Sequence, residues 1–125
     1  MYDEELANRV REQLAGEDGV TEKRMFGGLA FLLAGNMVVA VSGRGGLMVR
    51  VGGDGAQEAL ARPHASQVEM RGRPMTGWVF VALEGVRTRR QLEAWVARGV
   101  AEARTLPAKG ARPRLSAMGR ADPAL

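Results

Sequence analysis

The amino-acid sequence predicts an α+β fold with two layers, one antiparallel sheet and helices on one face of it, in the order α-β-β-β-α-β-β-α. Two observations support this prediction. Apolar residues recur at helical spacing near both ends of the chain, whereas they alternate or run together in short segments between those ends. Short turns rich in glycine separate the middle segments, which is typical of strands joined as hairpins.

The first element is predicted as a helix over residues 3–15. Asp3 is a candidate N-cap, and Gly16 is a candidate for the left-handed residue that ends the helix. Polar residues 17–23 are predicted as a connection. The apolar stripe of this helix consists of Leu6, Ala7, Val10 and Leu14.

Three strands are predicted next, over residues 29–33, 37–42 and 47–51. Gly35-Asn36 and residues 43–46 supply the two turns between them. Residues 37–41 are apolar at every position, so we expect this strand at the centre of the sheet.

The third strand alternates, with Met48 and Arg50 between Leu47, Val49 and Val51. Met48 and Arg50 therefore share the outer face of the strand, toward solvent or a partner. An open sheet face of this kind is a candidate dimer or partner surface.

The second half of the chain predicts a short helix capped by Asp54 and ending at Leu60, because the residue before a proline avoids helical angles. A short strand over 68–70, a turn over 71–74 and a strand over 78–83 follow. Thr88 begins a capping-box spacing and hence a final helix that stops near Pro107. Its predicted buried face is Leu92, Trp95, Val96, Gly99, Val100 and Ala103.

The length of 125 residues fits one domain, predicted over residues 1–106 and followed by a basic tail over 107–125 that we expect to be disordered. The tail has four basic residues against Asp122, which leaves +3 of the total charge of +4 in this segment. A weak, salt-sensitive nucleic-acid contact is an alternative function of this tail. Its candidate residues are Lys109, Arg112, Arg114 and Arg120.

The chain contains no cysteine, which excludes disulfides and thiolate chemistry and is consistent with a reducing cytoplasm. The acidic N-terminal segment is not typical of a signal peptide, and the longest apolar run, residues 37–41, is too short to cross a membrane. We therefore expect a cytoplasmic protein without membrane contact.

No motif predicts catalysis, a cofactor or a metal. Phe26-Gly27-Gly28 and residues 43–46 are each followed by a strand, whereas phosphate loops lead into a helix, so we interpret these glycines as hinges. His64 is the single histidine and is expected in a solvated loop. The chain is therefore predicted not to be an enzyme. The alternative, an unrecognised enzyme, requires a pocket that gathers Arg24, Arg73 and a carboxylate.

Trp78 and Trp95 each lie on an apolar face, so core packing is favoured over a platform for stacking bases. The methionines near the extended segments favour sheet packing over an adaptable binding surface. They are Met25, Met37, Met48, Met70 and Met75.

Several segments together resemble the TfoX N-terminal domain family, over roughly residues 1–106. They are Arg24-Met25-Phe26-Gly27-Gly28, the hairpin over 29–41 with its Gly35-Asn36 turn, the strand over 47–51, and Arg73-Pro74-Met75 with Gly77-Trp78-Val79.

The resemblance implies a small α+β fold like that of secretion chaperones and a role related to regulators of natural competence. Those regulators have a second, helical domain, in whose place this sequence has the basic tail. The resemblance implies no catalytic residues. We therefore expect a regulatory module that binds a protein partner or forms a dimer, and the candidate contact residues are Met48, Arg50, Arg24 and Arg73.

Overall fold

A computed structural model describes residues 2–25 and 27–107, except for the side chain of Met70. It contains one six-stranded antiparallel sheet in the strand order β1-β2-β3-β4-β6-β5. The predicted α+β class is confirmed, and the predicted helices and strands follow one another in the predicted order, with β1 as one additional strand. The elements are α1 (Glu4–Gln13), β1 (Val20–Met25), β2 (Gly28–Leu33), β3 (Asn36–Val41), β4 (Leu47–Arg50), α2 (Gly52–Leu60), β5 (Ala65–Met70), β6 (Arg73–Val81), a 3₁₀-helix (Leu83–Val86) and α3 (Arg89–Arg104).

Strand β1 is an addition to the prediction, which treated most of this segment as a polar connection. Its four central residues are exposed, so it has no apolar period that a sequence pattern could show. The strand forms because its backbone pairs with β2 along its whole length, from Val20 opposite Leu33 to Met25 opposite Gly28. Its charged side chains suit an edge strand, since they oppose pairing with other chains.

One face of the sheet is covered by all three helices. Two rows of side chains cross this face and are completely or nearly completely buried: Leu29, Val41, Leu47 and Val81, and Phe31, Val39, Val49 and Val79. They form a single apolar cluster with residues of α1, α2 and α3. We call this side the helix-covered face.

A β-bulge between β2 and β3 explains why the apolar pair Val38-Val39 breaks the alternation of β3. Phe31 pairs with Val39 but Leu32 pairs with Met37, so Val38 is an extra residue. Val38 and Val39 are both buried in the core cluster. Val38 contacts α3 so closely that a Cβ on Gly99 would lie 2.6 Å from its carbonyl oxygen.

The final helix agrees with its sequence pattern. Thr88 and Gln91 form the predicted capping box. The backbone N–H of Gln91 donates to Thr88 Oγ1 at 3.1 Å, and the backbone N–H of Thr88 donates to Gln91 Oε1 at 2.9 Å. All six residues of the predicted face are buried. In α1, Asp3 caps as predicted and the predicted stripe is buried, although the helix ends at Gln13.

Other boundaries differ from the prediction. Helix α2 begins at Gly52, so Asp54 lies in its first turn and is not the cap. Strand β6 begins at Arg73 inside the predicted turn, because Arg71 and Gly72 alone reverse the chain, with φ of 53° and 77°. The strand ends at Val81, where a 3₁₀-helix follows.

The glycines after β1 have structural roles. Gly27 has a φ of +76°, which favours glycine, and a Cβ on Gly28 would lie 2.2 Å from the Val41 carbonyl oxygen. Phe26 lies outside the described residues.

The turn predicted at Gly35-Asn36 instead has Ala34 and Gly35 at positive φ. Asn36 begins β3 and is 1% exposed. Its Nδ2 donates to the Pro107 carbonyl oxygen at 2.8 Å, which ties the end of the described chain to the sheet.

Candidate partner-binding face

The sheet side opposite the helix-covered face carries the alternate residues of the same strands. Its central row crosses all six strands through Lys23, Ala30, Ala40, Met48, Phe80 and Ser66. Next to this row lie Leu32, Met37, Arg50 and Trp78. We call this side the open face, because the core cluster with the three helices lies on the other side.

The large apolar side chains of the open face are half-buried. A cavity of about 80 Å³ lies among them. Methionines supply much of its wall, and their flexible side chains adapt to different partners. The larger side chains around the cavity are Met25, Met37, Met48, Met75 and Trp78.

Met75 and Trp78 reach the same cavity because Gly77 interrupts the alternation of β6. Gly77 has a φ of +91°, and the pairing of β6 with β5 shifts register in the same region. A Cβ on Gly77 would lie 3.5 Å from the backbone of Gly52, which is an ordinary van der Waals distance, so the positive φ is what favours glycine here.

Arg50 is held in place on the open face. Its Nε donates to the Met37 carbonyl oxygen at 2.6 Å, and its guanidinium lies 4.7 Å from the centre of the Trp78 ring. Burial lowers the pKa of Arg50, while the charge of Glu102 acts in the opposite direction. The guanidinium remains a cation, because arginine does not deprotonate in proteins. Its position is therefore fixed before any partner arrives.

A wider and more polar cleft of about 780 Å³ continues the open face toward the β5 edge. Met48 and Phe80 form its apolar side. Arg44, Ser66, Gln67, Glu69 and Arg71 contribute its polar groups. The open face therefore has an apolar centre with a polar margin, which is the arrangement of a protein interface.

The structure brings together only two of the four predicted contact residues. Met48 and Arg50 lie on the open face, as predicted. Arg24 is opposite Leu29, so it belongs to the row of the helix-covered face. Arg73 is exposed at the hairpin end of β6.

Side-chain direction and strand order therefore separate Arg24 and Arg73 from Met48 and from each other. A partner contact by any of the four residues stays a prediction. Strands β1 and β6 are four strand spacings apart, about 19 Å, so the two arginines do not line one small pocket.

Trp78, Phe80 and Met37 are open-face residues that the sequence reasoning missed. Trp95 is in the core as predicted, but Trp78 is not. The alternation of Trp78 and Phe80 with Val79 and Val81 was visible in the sequence. It did not indicate which of the two sets the helices cover.

The other predicted sites lie elsewhere in the chain. Lys109, Arg112, Arg114 and Arg120 lie outside the described residues, so the nucleic-acid contact of the tail stays a prediction. His64 is exposed, as expected of a loop residue. The described part of the chain brings no three histidine, cysteine or acidic residues together as metal ligands. Within the same part, no helix has both the length and the apolar character needed to cross a membrane.

Comparison with known proteins identifies one family. The family model of the TfoX N-terminal domain matches residues 12–103. This range begins within α1 and ends in the last turn of α3, so it includes the whole sheet. No curated protein matches the sequence, and no solved structure matches it either.

Proposed function

We propose that this chain, which belongs to the TfoX N-terminal domain family, is a non-enzymatic regulatory module that binds a protein partner through its open face. The partner segment would present apolar side chains flanked by carboxylates. The family resemblance suggests a setting related to the regulation of competence.

The proposal depends mainly on one observation, the combination of apolar and cationic groups on the open face. The central row contains Lys23 but no carboxylate, and Arg50 stands beside it on Trp78. A fixed cation next to half-buried methionines suits a partner that supplies an apolar anchor and an acid.

The same charge pattern favours a different protein over a second copy of the chain. A two-fold pairing of open faces would place two copies of Lys23 and two of Arg50 in one interface, with no carboxylate in either central row. Like charges across an interface oppose association. Dimer formation through the open face is therefore the less favoured outcome.

The size of the face suits a transient contact. Six strands at about 4.8 Å spacing span about 24 Å, and a strand of six residues runs about 20 Å. These lengths give a flat footprint of about 480 Å². Each partner of a stable complex typically buries roughly 800 Å² of accessible surface, so the open face is at the small end of protein interfaces. We therefore expect fast dissociation and a dependence on salt concentration.

The test compares the wild-type protein with Met48→Glu, which places a negative charge at the centre of the open face. The matched control is Leu83→Glu, since Leu83 is a large exposed apolar residue of the 3₁₀-helix, outside the open face. Each protein is used for capture from a lysate at low salt, and partners are identified by mass spectrometry. A captured partner is then purified and titrated by calorimetry, and light scattering reports the oligomeric state.

We expect a purified partner that binds the wild type and Leu83→Glu equally but does not bind Met48→Glu. Its contact segment should be apolar and acidic, and its affinity should fall with salt. A strictly monomeric protein with no Met48-dependent partner would contradict the proposal. A dimer that Met48→Glu dissociates would replace the proposed partner with a second copy.

A further inference from the structure

A second cleft, of about 360 Å³, lies on the helix side of the molecule. It is formed by the connection from α2 to β5, residues 62–64, and by the first three turns of α3. Its volume is in the range of small-molecule sites. Three arginines, one histidine and one aromatic ring surround it: Arg62, Arg90, Arg98, His64 and Trp95.

The cleft has an excess of positive charge. Arg62 and Arg98 both form ion pairs with Glu58, at 2.8 and 2.7 Å. The pKa of Glu58 is lowered mainly by its hydrogen bond to Arg98 and further by Arg62, so this carboxylate is ionised at neutral pH. Arg90 forms no ion pair within residues 2–25 and 27–107. Three guanidiniums against one carboxylate leave a local charge of +2.

The arginines on the two sides of the cleft are held facing each other. The Arg98 guanidinium lies 5.4 Å from the centre of the Trp95 ring. Trp95 is 6% exposed, so the ring that supports Arg98 belongs to the core. Glu58 bridges Arg98 to Arg62 across 36 positions of sequence. Two guanidiniums are therefore oriented before a ligand binds.

Several of the uncharged polar groups of the cleft are already engaged. Thr88 and Gln91 hydrogen-bond to each other's backbone in the capping box. The His64 carbonyl oxygen accepts from the Ala82 amide at 2.9 Å, which fixes the backbone of the connection. The guanidinium donors are therefore the principal groups that determine which ligand the cleft binds.

We propose that this cleft binds a small phosphomonoester. A phosphomonoester carries close to two negative charges at neutral pH, which matches the excess of the cleft. Planar guanidiniums bind phosphate oxygens through paired hydrogen bonds, and Arg90, Arg62 and Arg98 approach the cleft from its two sides. This site is independent of the open face and of the function proposed for that face.

Glu58 makes the proposal distinctive, because it competes with the ligand for the same guanidiniums. Replacing it with glutamine raises the local charge to +3 and frees donors of Arg62 and Arg98. A unit negative charge about 5 Å from a phosphate that carries close to two negative charges changes its affinity roughly tenfold in water. We therefore expect Glu58→Gln to bind a phosphomonoester roughly tenfold more tightly, although it removes two ion pairs.

The test is an NMR titration of the full chain with glucose 6-phosphate. Inorganic phosphate, glucose and a single-stranded oligonucleotide are separate arms. Potassium chloride at matched ionic strength serves as the background. The variants are Glu58→Gln, Arg90→Gln and the control Arg44→Gln, which removes an exposed arginine from the β3–β4 turn. The readouts are the Trp95 indole and Arg98 Nε signals, and thermal melts verify folding.

We expect saturable shifts at Trp95 and Arg98 with glucose 6-phosphate and with phosphate, and none with glucose. Arg90→Gln should weaken binding about tenfold, as the loss of a charged hydrogen bond does, and Arg44→Gln should leave it unchanged. Equal weakening by both arginine variants, or no tightening in Glu58→Gln, would overturn the proposal. So would shifts that appear only with a single-stranded oligonucleotide, which would assign the cleft to nucleic acid.

Discussion

Gly99→Ala isolates the contact between α3 and the β-bulge of β3. The new Cβ would lie 2.6 Å from the Val38 carbonyl oxygen and 2.8 Å from Val38 Cγ1. Real Cβ atoms essentially never approach other atoms this closely. Val38 belongs to an interior strand of the sheet, so the neighbour cannot swing away and α3 must shift.

Two effects of this substitution oppose each other. Alanine is favoured over glycine in a helix interior by about 1 kcal/mol. Overpacking a close contact costs about 1–3 kcal/mol. Because backbone stands on the other side of this contact, we expect the upper part of that range and a net loss of about 1–2 kcal/mol. The melting temperature should fall by roughly 5–10 °C.

The matched control is Gly55→Ala in α2, where a Cβ meets no atom within 4 Å. This variant should gain about 0.5–1 kcal/mol from helix propensity alone. Urea and thermal unfolding followed by circular dichroism measure both changes. If Gly99→Ala stabilises the protein as Gly55→Ala does, the close packing of α3 on β3 is refuted.

Three further predictions concern other parts of the fold. Gly28→Ala should destabilise the protein by at least about 2 kcal/mol in urea unfolding, because the new Cβ would lie 2.2 Å from the Val41 carbonyl oxygen. Thr88→Ala should cost about 1 kcal/mol in the same assay through loss of the α3 cap. The hydrogen bond from Arg11 lowers the pKa of Glu22 in the folded protein below its value in the unfolded chain. The stability that this ion pair contributes is therefore fully present above the unfolded pKa of Glu22 and is lost as pH falls through the folded pKa. Glu22→Gln should therefore lose less stability than the wild type between about pH 6 and pH 3.

Each of these predictions has an opposing outcome. A stable Gly28→Ala protein would show that the β2–β3 approach is looser than described. An unchanged Thr88→Ala protein would mean that other contacts hold the start of α3. Identical acid profiles of wild type and Glu22→Gln would mean that the ion pair between α1 and β1 is not formed in solution.

The sequence by itself determined the elements whose signals are local. Helix α3 has its cap, its buried face and its end within residues 88–107, and each follows from helix geometry alone. The strands from β2 to β4 were likewise visible, because apolar runs and glycine turns alternate along one continuous segment. The outward direction of Met48 and Arg50 followed from a period of two.

Tertiary structure alone decided the relations between elements. Strand β1 exists because β2 offers a partner, and its own side chains carry no apolar signal. Val79 faces the helices and Trp78 the open face because the helices pack on one side of the sheet, and a period of two is the same from either side. Arg62 and Arg98 meet at Glu58 only after α2 and α3 have docked on that side. Local periodicity specifies an element, whereas long-range packing chooses its neighbours.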